Sequence, residues 1–269
     1  MKGLHAVLTL LLYAGVALGQ NPATAEYERA NRLFHARQFQ EAMSALDAAL
    51  RLDPKLVPAL TLRARLAMAL DRYDIAKDSL ERAIAIEPSS WYPQFLYGFH
   101  FYQQNEMPSA ITALKKAREL NPRAAEPALY LGLAEESLGR TAEALTLYRR
   151  AVDLEASAGK LNVETLLTLS RLLLLLGEFD ECGRVIDRAE KLDPKSRDPH
   201  FEAGRLLLKK GQPAKAVEQG ETALRLTSGD VTDRQAHFLL VQAYRAIGRD
   251  ADAERHAAAV RSAAADTKK

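Results

Sequence analysis

The stretch ALRLDP at residues 49–54 returns as AIAIEP (83–88), ARELNP (117–122), AVDLEA (151–156), AEKLDP (189–194) and ALRLTS (223–228). A helical phrase of small and apolar residues runs into an acid or amide and is then stopped. Proline has no amide hydrogen and pushes the residue before it out of helical geometry, so Asp53, Glu87, Asn121 and Asp193 each close one helix and the next opens beyond. Pro54, Pro88 and Pro122 stand 34 residues apart, Ala156 takes the next such place, and after four inserted residues Pro194 and Ser228 resume the same step. A fixed period of this size predicts an array of repeats.

A second break falls inside each period. The column Arg37, Asp71, Asn105, Gly139, Gly177, Gly211, Gly248 becomes glycine in its last four members, where a left-handed residue ends a helix without a Cβ penalty. Each repeat is therefore predicted to be two antiparallel helices. Small side chains recur behind that break, in the column Ala42, Ala76, Ala110, Ala144, Cys182, Ala216, Ala253 and again in Ala49, Ala83, Ala117, Ala151, Ala189, Ala223. Residues of this size let helix backbones approach closely, and Cys182 serves there as a small hydrophobe.

These columns resemble the tetratricopeptide repeat (TPR) family. Leu131-Gly132 matches the Leu-Gly pair of the family's first helix, with Tyr97-Gly98 and Ala203-Gly204 as partial matches, and Phe39, Tyr73 and Phe179 follow the mid-repeat turn. The family's first-helix tryptophan is missing; its column holds Glu26, Leu60, Gln94, Ala128, Leu166, His200 and His237. The resemblance implies an all-α fold, a right-handed α-α superhelix (TPR solenoid) of about seven helix pairs, with repeats at about 21–54, 55–88, 89–122, 123–156, 157–194, 195–228 and 229–269. The insert around Ser157–Asn162 is expected to lengthen a loop or a helix.

Residues 1–19 are set apart from the solenoid of 20–269. A single Lys2, an apolar block from Leu4 to Leu18 and small Ala17 and Gly19 before Gln20 are the pattern of a signal peptide cleaved after Gly19. An uncut anchor is the alternative, although the block is shorter than a membrane-spanning helix requires. Export to a bacterial periplasm or beyond the cell is the expectation, with no stable membrane span after cleavage.

The chain carries 37 Lys+Arg against 35 Asp+Glu, and loss of Lys2 with the leader leaves 36 against 35. Nucleic-acid binders concentrate a basic surplus on one face, and no run here does so, so no nucleic-acid partner is expected. Cys182 is the sole cysteine, so no internal disulfide can form. No HExxH, CxxC, GxSxG or glycine-rich phosphate loop is present, and the six histidines are scattered beyond metal-ligand spacing. The expectation is a protein that is not an enzyme, with no catalytic residue, metal or other cofactor. His100 between Phe99 and Phe101 reads as a packed or rim histidine.

In the family, the first helix of each pair lines the inner, concave surface. Carried onto this chain, that implies a partner-binding set of Tyr27, Asn31, Phe34, Arg65, Tyr92, Phe95, Phe99, Tyr102, Arg171, Phe201, Arg205, Phe238 and Arg245. Spacings of three and four residues place each helix's members on one face. Aromatics supply contact area at low entropic cost, and arginine pairs bidentately with carboxylates. The same aromatics would alternatively cement the third repeat to its neighbours. Of the residues with which some family members grip a C-terminal carboxylate, only Asn31 agrees. The functional expectation is a scaffold or adaptor that holds a protein or peptide segment in its groove. An accessory subunit of an envelope enzyme or secretion complex, docking by convex or terminal surfaces, is the alternative.

Overall fold

The computed structural model describes residues 21–266. They form fourteen helices in seven consecutive pairs: α1 (Pro22–His35) with α2 (Phe39–Leu52), α3 (Val57–Ala69) with α4 (Tyr73–Ile86), α5 (Trp91–Gln103) with α6 (Met107–Leu120), α7 (Glu126–Ser137) with α8 (Thr141–Ser157), α9 (Val163–Leu176) with α10 (Phe179–Leu192), α11 (Arg197–Lys209) with α12 (Pro213–Arg225), and α13 (Asp233–Ala246) with α14 (Asp250–Asp266). An isolated parallel bridge between Ser196 and Ser228 is the one extended pairing among the described residues. The all-α array of helix pairs expected from the 34-residue step is present. The leader read in residues 1–19 lies outside the described residues.

The quoted phrase works through two devices. The N–H of Asp53, Glu87, Asn121 and Asp193 donates to the carbonyl four residues back, at Ala49, Ala83, Ala117 and Ala189. Then Asp53 Oδ1 accepts from Lys55 N–H (2.9 Å), Asn121 Oδ1 from Arg123 N–H (3.1 Å) and Asp193 Oδ1 from Lys195 N–H (3.1 Å). The short acid or amide thus bonds across the proline and turns the chain toward the next helix. Where Ala156 replaces proline, nothing stops the helix, and α8 runs on to Ser157, so the insert lengthens both the helix and the loop that follows.

At the mid-repeat break every column member is left-handed, the non-glycine residues Arg37, Asp71 and Asn105 at φ 58°, 55° and 59° as well as the four glycines. The small-residue columns, Cys182 included, are buried. Gly98 and Gly204 show why the Leu-Gly column needs no side chain. A Cβ on Gly98 would stand 2.6 Å from Leu114 Cγ, and one on Gly204 2.6 Å from Leu239 Cδ2.

The chain gathers into two compact units, one up to Ala134 and one from Glu135. Within the first, α1, α3 and α5 lie side by side, with α2 packed on α3 and α4 on α5. Within the second, α9, α11 and α13 are likewise neighbours, with α8, α10 and α12 behind them.

A buried polar clamp closes the last inter-repeat loop in the second unit. Arg197 bonds the carbonyls of Leu226 and Val231 (2.9 Å to the latter) and Asp233 Oδ1 (2.6 Å), while buried Asp198 accepts from Asp230 N–H and Val231 N–H at 2.9 and 2.8 Å. Ser228 stands where proline would be, and these bonds replace its stop.

Candidate functional site

In the first unit, three consecutive first helices converge on one recess. Tyr27 and Asn31 of α1, Thr61 and Arg65 of α3 and Tyr92 at the start of α5 line a cavity of about 300 Å³, with Val57 and Pro93 on its apolar side and Glu87 at its rim. Four residues expected at a partner surface, Tyr27, Asn31, Arg65 and Tyr92, are therefore brought together. Phe34 lies beneath Arg65, whose guanidinium carbon is 5.0 Å from the ring centroid, so that this arginine is held by its cation–π contact while facing the recess.

The aromatics of α5 continue from that recess as a ladder. Tyr92 stacks on Phe95 (6.1 Å between centroids), Phe95 on Phe99 (6.4 Å), and Tyr130 of α7 meets Phe95, Phe99 and Tyr102 at 5.7, 4.8 and 5.8 Å. Phe95 is 7% exposed and belongs to the seam between the third and fourth repeats, whereas Phe99 and Tyr102 remain half-buried. The ladder combines the two readings given to these rings, since the inner ring cements and the outer rings present surface.

In the second unit, Arg171 of α9 and Arg205 of α11 share one acid. Arg171 Nε donates to Glu202 Oε1 (2.8 Å) and Arg205 Nη1 to Glu202 Oε2 (2.7 Å), and the carboxylate is 2% exposed. Phe201 lies 6.0 Å beneath the Arg205 guanidinium. Both arginines line a cavity of about 650 Å³ with Leu174, Leu175, Leu208, Lys209 and Gln242. Phe238 and Arg245 of α13 are exposed and are not among its lining residues.

No catalytic constellation emerges among the described residues, where no three His, Cys, Asp or Glu side chains are grouped to hold a metal. His100 is 4% exposed, packed among Tyr73, Tyr97 and Phe101, and burial holds its pKa below the ordinary histidine value. His200 and His237 fill the vacant tryptophan column by pairing, His200 Nδ1 with Gln219 Oε1 and His237 Nδ1 with His256 Nδ1, both at 2.8 Å. Burial lowers the His256 pKa, and His237 and Arg255 lower it further. No described helix is long and apolar enough to cross a membrane.

Sequence reasoning missed Tyr130 and Glu202. Both stand in the column Glu28, Leu62, Leu96, Tyr130, Thr168, Glu202, Leu239, one residue past the first inward position. The available signal was the arginine of the preceding repeat, since a lone acid beside a recurring arginine is a candidate partner for it.

Comparison with known proteins agrees with this architecture. The family description "Tetratricopeptide repeat" matches residues 98–159, 167–231 and 201–267 in one form and 33–90 in another. Anaphase-promoting complex subunit 3 of Schizosaccharomyces pombe is 22% identical over 170 residues, a match covering 63% of this chain and 25% of that protein, so the chain spans about a quarter of that relative's length. Among solved structures, that of Pseudomonas aeruginosa pilF has a TM-score of 0.68 at 18% identity, covering 78% of this chain and 93% of that one. YrrB, described as a TPR protein with an unusual peptide-binding site, has a TM-score of 0.58 at 19% identity, covering 75% and 98%. With the family description matching well over half its residues, the chain belongs to the tetratricopeptide repeat family.

Proposed function

We propose that the protein is a non-enzymatic adaptor that holds a segment of a partner protein against its first-helix face. The observation that carries this reading is the recess where Tyr27, Asn31, Arg65 and Tyr92 converge from three successive repeats. Phenolic, amide and guanidinium groups there surround an apolar wall. That combination suits a peptide backbone with one anchoring side chain, where few polar groups fix orientation and apolar area supplies affinity. The peptide-binding site named for YrrB, a protein of similar fold, supports the same use of the architecture.

The leader pattern of residues 1–19 further supports a place outside the cytoplasm, in a bacterial periplasm or beyond it. Expression of the full chain from its own start, followed by intact mass of the exported fraction, tests this. A mature chain beginning at Gln20 supports export, and a full-length cytoplasmic chain refutes it.

Panning a displayed random-peptide library on the purified chain tests the recess. Selected peptides should lose about tenfold or more in affinity with Tyr92→Ala or Arg65→Ala and keep it with Lys116→Glu on α6. Peptides indifferent to the first pair but lost with the last would place docking on the second helices instead.

A further inference from the structure

The second unit offers a recess of different chemistry, and nothing above assigns it a ligand. Its lining combines apolar Leu175, Phe179 and Leu208 with cationic Arg171, Arg205 and Lys209. Leu175 is 72% exposed, an unusual position for a leucine beside three positive charges.

The charges are organised by one buried acid. Glu202 is 2% exposed and takes one N–H from each guanidinium, through Arg171 Nε at 2.8 Å and Arg205 Nη1 at 2.7 Å. A single carboxylate cancels one of the three cations and leaves the lining at +2. Lys209 has no ion-pair or hydrogen-bond partner among the described residues, and the remaining N–H groups of the two arginines have none either. Each guanidinium is thus held through one N–H to Glu202, and both arginines line the recess with their other donors unbonded among the described residues. A fixed fork loses little entropy when it binds a second carboxylate, which is the condition under which charge-assisted pairs favour association.

We propose that this recess receives a protein segment in which one or two side-chain carboxylates flank a leucine- or phenylalanine-sized residue. The apolar side chain covers Leu175 and Phe179, and the carboxylates meet Arg171, Arg205 and Lys209. A volume of about 650 Å³ accommodates a few side chains in a depression, a shape that a flat lipid surface does not fill. The proposal rests on the reading that first-helix faces receive a partner segment, and it names the chemistry of that segment for the second unit.

The test uses the full chain and fluorescein-labelled short peptides blocked at both ends, so that no terminal carboxylate contributes. One probe carries Glu on both sides of Leu, a second replaces Glu by Lys, and a third replaces Leu by Ser. Anisotropy should show binding of the first alone, weakening several-fold between about 50 mM and about 500 mM salt. Leu175→Asp, Lys209→Glu and Arg171→Ala should each weaken it about tenfold or more. None of these removes the Arg205–Glu202 pair, and unchanged far-UV circular dichroism verifies folding.

Equal binding of the Glu and Lys probes, or affinity indifferent to Leu175→Asp and Lys209→Glu, overturns the proposal. So does stronger dependence on those residues in cosedimentation with phosphatidylglycerol vesicles than in peptide binding. If the Glu probe instead loses affinity with Tyr92→Ala or Arg65→Ala, this proposal fails while the first-unit reading stands. If the Glu probe does not bind and library peptides fail to bind the first unit as well, both fall.

Discussion

The left-handed column permits a stability prediction with opposite signs at equivalent positions. Arg37 holds φ 58° with an exposed side chain that makes no hydrogen bond or ion pair among the described residues, while its N–H bonds Phe34 O whatever the side chain is. An L-residue in this region costs about 1–2 kcal/mol. Glycine removes that strain but gives back about 0.5–1 kcal/mol through the greater freedom of its unfolded chain. Arg37→Gly should therefore stabilise the protein by about 0.5–1 kcal/mol. Gly139→Ala is the mirror experiment. Its φ is 76° and nothing lies within 4 Å of the added Cβ, so the penalty is purely one of backbone and should reach about 1 kcal/mol. Asp71→Gly should gain less than Arg37→Gly, because Asp71 Oδ1 accepts from Tyr73 Oη at 2.8 Å and that bond is lost. Urea unfolding followed by circular dichroism reads all three as midpoint shifts at constant slope. A lower midpoint for Arg37→Gly, or no change for Gly139→Ala, refutes the strain argument.

Three further outcomes follow from buried groups. Gly98→Ala gains helix propensity but drives its Cβ to 2.6 Å from Cγ of fully buried Leu114, so overpacking of about 1–3 kcal/mol should dominate and lower the midpoint. Burial pushes the Cys182 thiol up to about 11, and Sγ–H donates to Ser170 O at 3.3 Å, so a disulfide reagent at neutral pH should react with it only as urea unfolds the chain; rapid labelling of the native protein would contradict this. Burial depresses the pKa of His100 and His256 below the ordinary histidine value of about 6.5, so the unfolded chain takes up protons first as pH falls. Stability should be full above that value and decline below it, and His256→Gln should flatten the decline; a midpoint independent of pH across that range would count against both assignments.

The period, the pairing and the small-residue faces were legible because each is written in local chemistry: proline and left-handed residues at helix ends, alanine where helices touch. The acid or amide before proline was visible as a pattern, yet its function as an Asx-type turn appeared only with Lys55, Arg123 and Lys195 placed over it. Contacts between repeats were harder to read, because they join residues about a repeat apart in the chain. The inward positions found Tyr92, Phe99, Arg171 and Arg205, but nothing local in the sequence indicates which residue of the next repeat leans against each of them.

The two missed residues answer that question with one rule. Tyr130 meets Phe99 at 4.8 Å and Glu202 meets Arg171 at 2.8 Å, and both pairs join the same two columns of successive repeats. In the first unit the rule joins ring to ring and yields an apolar seam. In the second it joins acid to base and yields a fixed charge. Arg205 occupies the same column as Arg171, but Leu239 stands in the column that would face it, so no acid is available ahead. It turns back within its own helix to Glu202, three residues earlier, and two guanidinium groups come to share one carboxylate. The positive surplus over the second recess thus has a definite origin, namely that the column supplying Glu202 in the sixth repeat supplies leucine in the seventh.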